Sequence, residues 1–536
     1  MLSTMQDFPL SVNLLFRHGA RIYADSEVVT ATGCDTTRRA TFAGVAERVR
    51  RLGSGLSKLG ISSGDRIATF CWNTQEHLES YFAVPCLGAV LHTVNVRLFP
   101  QQIAYIVNDA ADRVVIVDES LASIVAQVAP ELKTVERYVV IGKPGGLPNA
   151  IAYEDLLAQG DPEFEFPECT DERAAAGMCY TSGTTGQPKG VVYSHRSIYL
   201  HSMALCATWG LDVSGSDRVL VGPSMFHANG WGLPHAAWMC GADIVLPGRF
   251  LQPEPLAALI RNERATLAAG VPTLWNDLVR YAEDHPVDLS SMRAIYCAGS
   301  SVPKPLVERL QERFGVRLIQ AWGMTETSPI AAVAHPPRGC PDDQELGWRA
   351  KTGRVTPGVE ARIAGGSTIL PWDGEAIGEL EVRGPWVTAS YYGDADSSRF
   401  HDGWLRTGDV AMIEPNGFIR ITDRAKDVIK SGGEWISSLE LESHLMAHPD
   451  VNEAAVIGVH DPRWEERPLA CIVLRPGAKV TSDDLRAFLE SRVARWWLPE
   501  RWAFVEQIPK TSVGKFDKKT LRAQFAKTAS ATDAHD

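Results

Sequence analysis

At 536 residues the chain is too long for a single compact core, which points to two or three domains. Hydrophobic residues make up 45% and charged residues 22%, an ordinary balance for a soluble globular protein. The formal charge of -12 argues against a nucleic-acid partner. Ten cysteines stand singly with no CxxC pair, a spacing that suits neither a disulfide framework nor a zinc site and fits a reducing cytosol. The N-terminal stretch lacks the basic and apolar regions of a secretory signal, and no apolar run reaches about 18 residues, so a cytoplasmic protein without a transmembrane helix is expected.

The first third alternates helix and strand periodicities. Apolar residues at Val45, Val49, Leu52, Leu56 and Leu59 have helix spacing after Phe42. Strand-like runs follow at 66–71 (RIATFC), 89–95 (AVLHTVN), 114–118 (VVIVD) and 138–142 (YVVIG). The pattern resumes at 218–222, 241–248 and 292–299, and the alternation predicts an α/β architecture with largely parallel sheets. After about residue 350 the texture changes to short strands broken by glycine-rich turns, as in GELEVRG (378–384) and GFIRITD (417–423). Beyond Asp427 an α+β unit starts, with Ser437 and Glu440 spaced as a capping box. DRAKD (423–427) is the expected boundary between a large domain, 1–424, and a small one, 425–536.

One stretch, YTSGTTGQPKG (180–190), is unlike a core segment: three glycines, four hydroxyl side chains and one lysine in eleven positions. Glycines let successive N–H groups point into one concavity, which favours an anion. Thr181, Ser182, Thr184 and Thr185 add hydroxyl donors, and Lys189 adds charge. With a strand expected on each side, the loop is a strand-to-strand turn at a sheet edge. It is not a Walker A loop, because Gly190 stands where a Ser or Thr would hold magnesium. Further along come QAWGMTE (320–326), WLRTGDV (404–410) with Asp409 after a turn, Arg424 in ITDRAKD, and Lys515 in PKTSVGKFDK (509–518). Taken singly these have plain explanations: turn caps, surface pairs and solvated charges.

In this order, and over nearly the whole chain, they resemble the adenylate-forming family of acyl-CoA synthetases, luciferases and peptide-synthetase adenylation domains, and most closely bacterial medium- and long-chain fatty acyl-CoA synthetases. The resemblance implies a large N-terminal domain of α/β sheets with a small distorted β-barrel subdomain, and a small mobile α+β C-terminal domain. It implies that Thr181, Ser182, Gly183, Thr184, Thr185, Gly186 and Lys189 hold the β- and γ-phosphates of ATP. Thr325 would touch the α-phosphate, Glu326 would hold Mg²⁺, and Gly299, Ser300, Gln320 and Ala321 would line the nucleotide wall. Trp322 would lie against adenine, a departure from the commoner tyrosine. Asp409 and Arg424 have the chemistry to meet the ribose hydroxyls.

The same resemblance implies that His227 and Trp231, in PSMFHANGWGLP, sit at the acyl site, Trp231 as its gate. Lys515 would orient carboxylate and α-phosphate for acyl-adenylate formation. The small domain would then turn about Lys426 and bring Ser431, Gly432, Gly433, Glu434 and Trp435 to a channel for CoA. Arg467, Arg492 and Arg495 are weaker candidates for CoA phosphates. Expected partners are ATP, CoA, an apolar acid and a second copy in a homodimer. Two alternatives stand beside this reading: a ligase for an aryl, branched or sulfur-containing acid, and a non-catalytic nucleotide- or acyl-binding protein.

Overall fold

A computed structural model describes residues 1, 3–181, 187–394, 396–431, 434–511 and 516–532, and its strands gather into sheets of seven, fifteen and five. The seven-stranded sheet runs in the order Ala150–Ala152, Arg137–Ile141, Val114–Asp118, Arg66–Phe70, Val90–Thr93, Ala175–Tyr180, Gly190–Ser194. All its neighbours are parallel except the last pair, which is antiparallel at the sheet edge. That edge pair flanks the glycine-rich loop, as the sequence led us to expect. Central strands such as Val114–Asp118 are nearly continuous apolar runs because helices cover both faces.

The fifteen-stranded sheet changes character within one strand. Arg317–Gly323 pairs in parallel with Ala294–Cys297 through residues 317–320, then antiparallel with Ile330–Val333 through residues 321–323. The antiparallel strands beyond residue 330 form a small β subdomain joined to the parallel sheet. They continue the parallel sheet through this one strand, and their path stays open at Thr368–Leu370. A sheet that switches pairing here leaves its loops gathered at the carboxyl ends of the parallel strands, where open α/β sheets bind ligands.

Helices fill the space between the two large sheets. Gln75–Cys86 is buried along its whole length, including His77 and Glu79. Glu79 survives burial because it accepts hydrogen bonds from Arg48, Gln75 and Tyr153 at 2.6–2.8 Å. Around it, Trp238 stacks on Phe42 with ring centroids 4.1 Å apart and meets Phe82 at 4.8 Å. Among the described residues no helix is long and apolar enough to cross a membrane.

The last strand of the large sheet is Phe418–Arg424, and the next, Ile429–Ser431, belongs to the five-stranded sheet. That sheet is built on the hairpin Val451–Asp461/Glu465–Leu474 and carries the helices Ser438–Met446, Ser482–Glu490 and Lys518–Thr532. The expected capping is present: Ser437 Oγ accepts from the Glu440 N–H at 3.1 Å. Buried polar contacts join the large sheet to the helix Ser438–Met446 and brace that helix from within the small unit. Asp423 Oδ2 accepts from the Ser438 N–H at 2.6 Å, Lys518 Nζ donates to Ser438 Oγ at 2.6 Å and pairs with Glu442 at 2.7 Å. Burial pushes the Glu442 carboxyl up to about 7, against the pull of Lys518.

Candidate active site

A cleft of about 270 Å³ opens where the strand ends of the large sheets meet residues 425–426. Thr181 and Lys189 line one side, His227 and Trp231 another. Gly299, Thr325, Glu326, Arg424 and Lys426 complete the wall among residues singled out in the sequence. Chain segments more than 200 residues apart thus converge on one space.

On the glycine-rich side, Thr181 N–H donates to the Lys189 carbonyl at 2.9 Å and Lys189 N–H to Thr181 Oγ1 at 3.1 Å, closing the base of the loop. Ser182, Gly183, Thr184, Thr185 and Gly186 lie outside the described residues. The Lys189 ammonium pairs with Asp396 and lies 5.2 Å from the centroid of the Tyr391 ring. Glu326 is buried and accepts from Tyr391 Oη at 2.6 Å. Burial, then the Glu326 charge, raises the Tyr391 phenol well above its ordinary value, so it donates throughout the physiological range. Next to Glu326, the Thr325 carbonyl accepts from Tyr193 Oη at 2.7 Å. No group of three or more His, Cys, Asp or Glu side chains forms a metal cluster among the described residues. Glu326 alone fits Mg²⁺, which commonly takes one or two carboxylates and fills its shell with water and substrate phosphates.

The opposite wall is held by strand register. Asp409 lies within the strand Trp404–Ile413, not after a turn, and its Cα partner on Phe418–Arg424 is Arg424. Arg424 Nε meets Asp409 Oδ1 at 2.7 Å, while Trp322 Nε1 donates to Asp409 Oδ2 at 3.0 Å. Trp322 is buried in the apolar cluster that also holds Ala331, Ala332 and Val359 and is not among the residues that line the cleft. Its strand is buried from Leu318 to Trp322, so the sequence alone did not orient the indole. Gly323 and Met324, the next two residues, reach the cleft instead. Gln320 also stands behind the wall, accepting from the Val302 N–H at 3.2 Å. Ala321 is buried in the core, and Ser300 is exposed outside the cleft lining.

His227 and Trp231 flank an uncommon backbone feature. Ala228, Asn229, Gly230, Trp231 and Gly232 all have positive φ, from 37° to 74°. For residues with a Cβ this conformation costs about 1–2 kcal/mol each, and it persists where surrounding contacts impose it. Here Asn229 Oδ1 accepts from Thr93 Oγ1 at 2.9 Å and Cys179 Sγ at 2.7 Å, tying the turn to the seven-stranded sheet. Gly299, at φ +93°, packs by the Trp231 ring, and a Cβ there would lie 3.2 Å from Val271. Beyond the turn a second cavity of about 20 Å³, the room of one water, is lined by His201, Ser202, Asn229 and His235.

Lys426 borders the cleft, and burial lowers its ammonium below the ordinary lysine value. Lys515, Gly432 and Gly433 lie outside the described residues, and of Glu434 and Trp435 only the backbone strand Glu434–Ile436 is described. Ser431 does not line the cleft. It is buried in the small sheet, where its Oγ accepts from Arg467 Nη1 at 3.0 Å. Arg467 spends its other donors on the Trp496 and Leu498 carbonyls and Glu500, which makes it a structural residue. Arg492 lies over the Phe488 ring at 3.7 Å. Arg495 opens the short turn Arg495–Trp497. Sequence reasoning missed Tyr391, Asp396 and Arg399. Their stretch, YYGDADSSRF (391–400), carried the same signal as the glycine-rich loop: polar and charged residues without apolar periodicity.

The geometry is that of a nucleotide-handling cleft, with Lys189 and Asp396 lining one part and Arg424, held by Asp409 on the adjacent strand, lining another. The AMP-binding enzyme family matches residues 16–392, and the AMP-binding enzyme C-terminal domain matches residues 440–515. A long-chain-fatty-acid–CoA ligase of Thermus thermophilus is 44% identical, covering 98% of this chain and 97% of its own. A 3-methylmercaptopropionyl-CoA ligase of Ruegeria lacuscaerulensis is 41% identical over 98% of this chain and 99% of its own. Among solved structures, an anthranilate CoA ligase in complex with anthranoyl-AMP superposes with a TM-score of 0.87 at 27% identity, covering 98% and 100% of the two chains. The chain belongs to the AMP-binding enzyme family, within its adenylate-forming CoA ligases.

Proposed function

We propose that this enzyme activates a medium- or long-chain fatty acid with ATP as the acyl-adenylate and transfers the acyl group to CoA, releasing pyrophosphate and AMP. The observation that carries this reading is the convergence of Thr181 and Lys189, His227 and Trp231, and the Asp409–Arg424 pair around one cleft. Identity of 44% to a long-chain ligase along nearly the whole chain supports the choice of acid.

In the first step the acid's carboxylate oxygen attacks the α-phosphorus, and the bond to pyrophosphate breaks. Both reactants are anions, so the site must first cancel repulsion and then stabilise charge on the outgoing group. Residues 181–189 would hold the outgoing phosphates, and Asp409 with Arg424 would hold the ribose. Lys515, from the small domain, would bridge carboxylate and α-phosphate. Glu326 would hold Mg²⁺, which supplies charge neutralisation on phosphate oxygens when bound.

In the second step the CoA sulfur attacks the acyl carbonyl, the acyl–phosphate bond breaks, and AMP leaves. No covalent enzyme intermediate is needed. We assign residues 1–424 and 425–536 to two domains that reorient about Lys426 between the steps, so that Ser431–Trp435 approach the CoA channel. The change of sheet between Arg424 and Ile429 supports that boundary. A cytoplasmic homodimer completes the proposal, and light scattering tests the pairing.

A second reading, a sulfur-containing acid, is favoured by one observation: 41% identity over 98% of this chain to a 3-methylmercaptopropionyl-CoA ligase. Acid-dependent AMP release with CoA, measured across straight-chain acids and 3-methylthiopropionate, decides between them. Rates that rise with chain length support the fatty-acid reading, and a maximum at the short thioether acid rejects it. Absence of ATP–pyrophosphate exchange with every acid would favour a non-catalytic binder.

A further inference from the structure

The cations of the cleft are unequally satisfied. Lys189 has Asp396, and Arg424 has Asp409. Arg399, at the end of the short turn Ser397–Arg399, lines the same cleft but forms no ion pair among the described residues. Its Nη2 donates to the Thr407 carbonyl at 3.0 Å, and its Nε is buried without a hydrogen-bond partner. A guanidinium carries five donors and stays charged at any pH the protein meets. One that is partly buried, with a single carbonyl partner and an unmet donor, is costly until an anion reaches it.

The position of Arg399 indicates which anion. Asp396, three residues earlier, holds Lys189 at the base of the glycine-rich loop. On the other flank, Arg399 Nη1 lies 3.1 Å from where a Cβ on Gly408 would stand, and Gly408 has φ +74°. The glycine thus leaves room for the guanidinium between the loop side and the Asp409 side. An arginine fork there matches two oxygens of a phosphate group.

We infer that Arg399 binds the outgoing pyrophosphate portion of ATP, sharing it with Lys189. This rests on the reading of the cleft as the nucleotide site. Binding would give an anionic partner to a guanidinium that forms no ion pair among the described residues. Asp396 serves as the stand-in partner of Lys189 until the phosphates arrive.

The test measures magnesium pyrophosphate and adenosine separately as inhibitors competing with ATP. Arg399→Gln should weaken pyrophosphate about 10-fold, the scale of a lost hydrogen bond to a charged group, and leave adenosine within twofold. Arg399→Lys, which keeps the charge, should recover part of the loss, and it gives a readout if the glutamine variant does not fold. Equal weakening of adenosine and pyrophosphate would mean that Arg399 merely supports the Thr407–Gly408 backbone and overturns the assignment. Unchanged pyrophosphate inhibition overturns it as well. If neither compound competes with ATP in the unaltered protein, the nucleotide reading itself falls, a result visible before any variant is made.

Discussion

Two acid–base pairs face each other across the cleft and are made differently. Asp409 and Arg424 are register partners on adjacent strands, and Asp409 is 2% exposed with a third partner in Trp322. Lys189 and Asp396 come from two loops and remain partly exposed. The first pair is fixed by the ladder of backbone hydrogen bonds before any ligand arrives. The second depends on two segments that nothing holds in register, so ligand can replace one partner. On the proposed assignment, a site that grips a nucleoside and releases pyrophosphate gains from this division: the ribose side would be preformed, and the phosphate side would exchange partners.

The largest expected effect concerns a group added from the other domain. Lys515→Ala should slow acyl-adenylate formation about 10²–10³-fold, the range for removing a charge-stabilising donor, while thioester formation from supplied acyl-adenylate stays near normal. Single-turnover assays of each half-reaction check this, and equal loss in both would remove the separation of the steps.

Asp409→Ala comes next, because it leaves the buried Trp322 N–H without its acceptor and removes the partner of the partly exposed Arg424. Raising KM for ATP about 10–100-fold matches the 1–3 kcal/mol of an unsatisfied buried group. A change below threefold would show that the ribose side is not the rigid one. Asp396→Asn should alter the same KM by less than about threefold, since partly exposed pairs contribute about 1 kcal/mol or less. A tenfold change would place both pairs in the preformed class and dissolve the contrast.

The smallest effect probes the buried helix Gln75–Cys86, away from both pairs. Burial holds the His77 imidazole down at about 4, so it is neutral when folded. The unfolded chain binds that proton near pH 6.5, so stability is present above that pH and lost as pH falls towards 4. His77→Gln should reduce the acid-induced drop in Tm by a few degrees, measured between pH 6.5 and 4.5. An unchanged slope would mean that His77 is not among the groups responsible.

The parts legible in the sequence were those with local signals. Apolar periodicity located strands such as Val114–Asp118, and glycine spacing located the loop after Tyr180. The orientation of Trp322 was not legible because a strand buried on both faces has no polar side to orient it. Asp409 was misplaced after a turn because Gly408 resembles a turn residue, whereas it sits with positive φ inside a strand. Asp396 and Arg399 acquire meaning only through Lys189 and Gly408, and the Asp396–Lys189 separation of 207 positions is beyond any local pattern.

The contacts of Asp423 with the Ser438 N–H and of Ser437 Oγ with the Thr422 carbonyl join segments on opposite sides of Lys426 in the chain. They therefore bias the angle between the two sheets even with the cleft empty. A ligand can turn the small sheet away from this setting only by its difference in affinity for the two arrangements. On the proposed reorientation, the timing of the two half-reactions would depend partly on a carboxylate, a hydroxyl and a backbone amide outside the cleft lining.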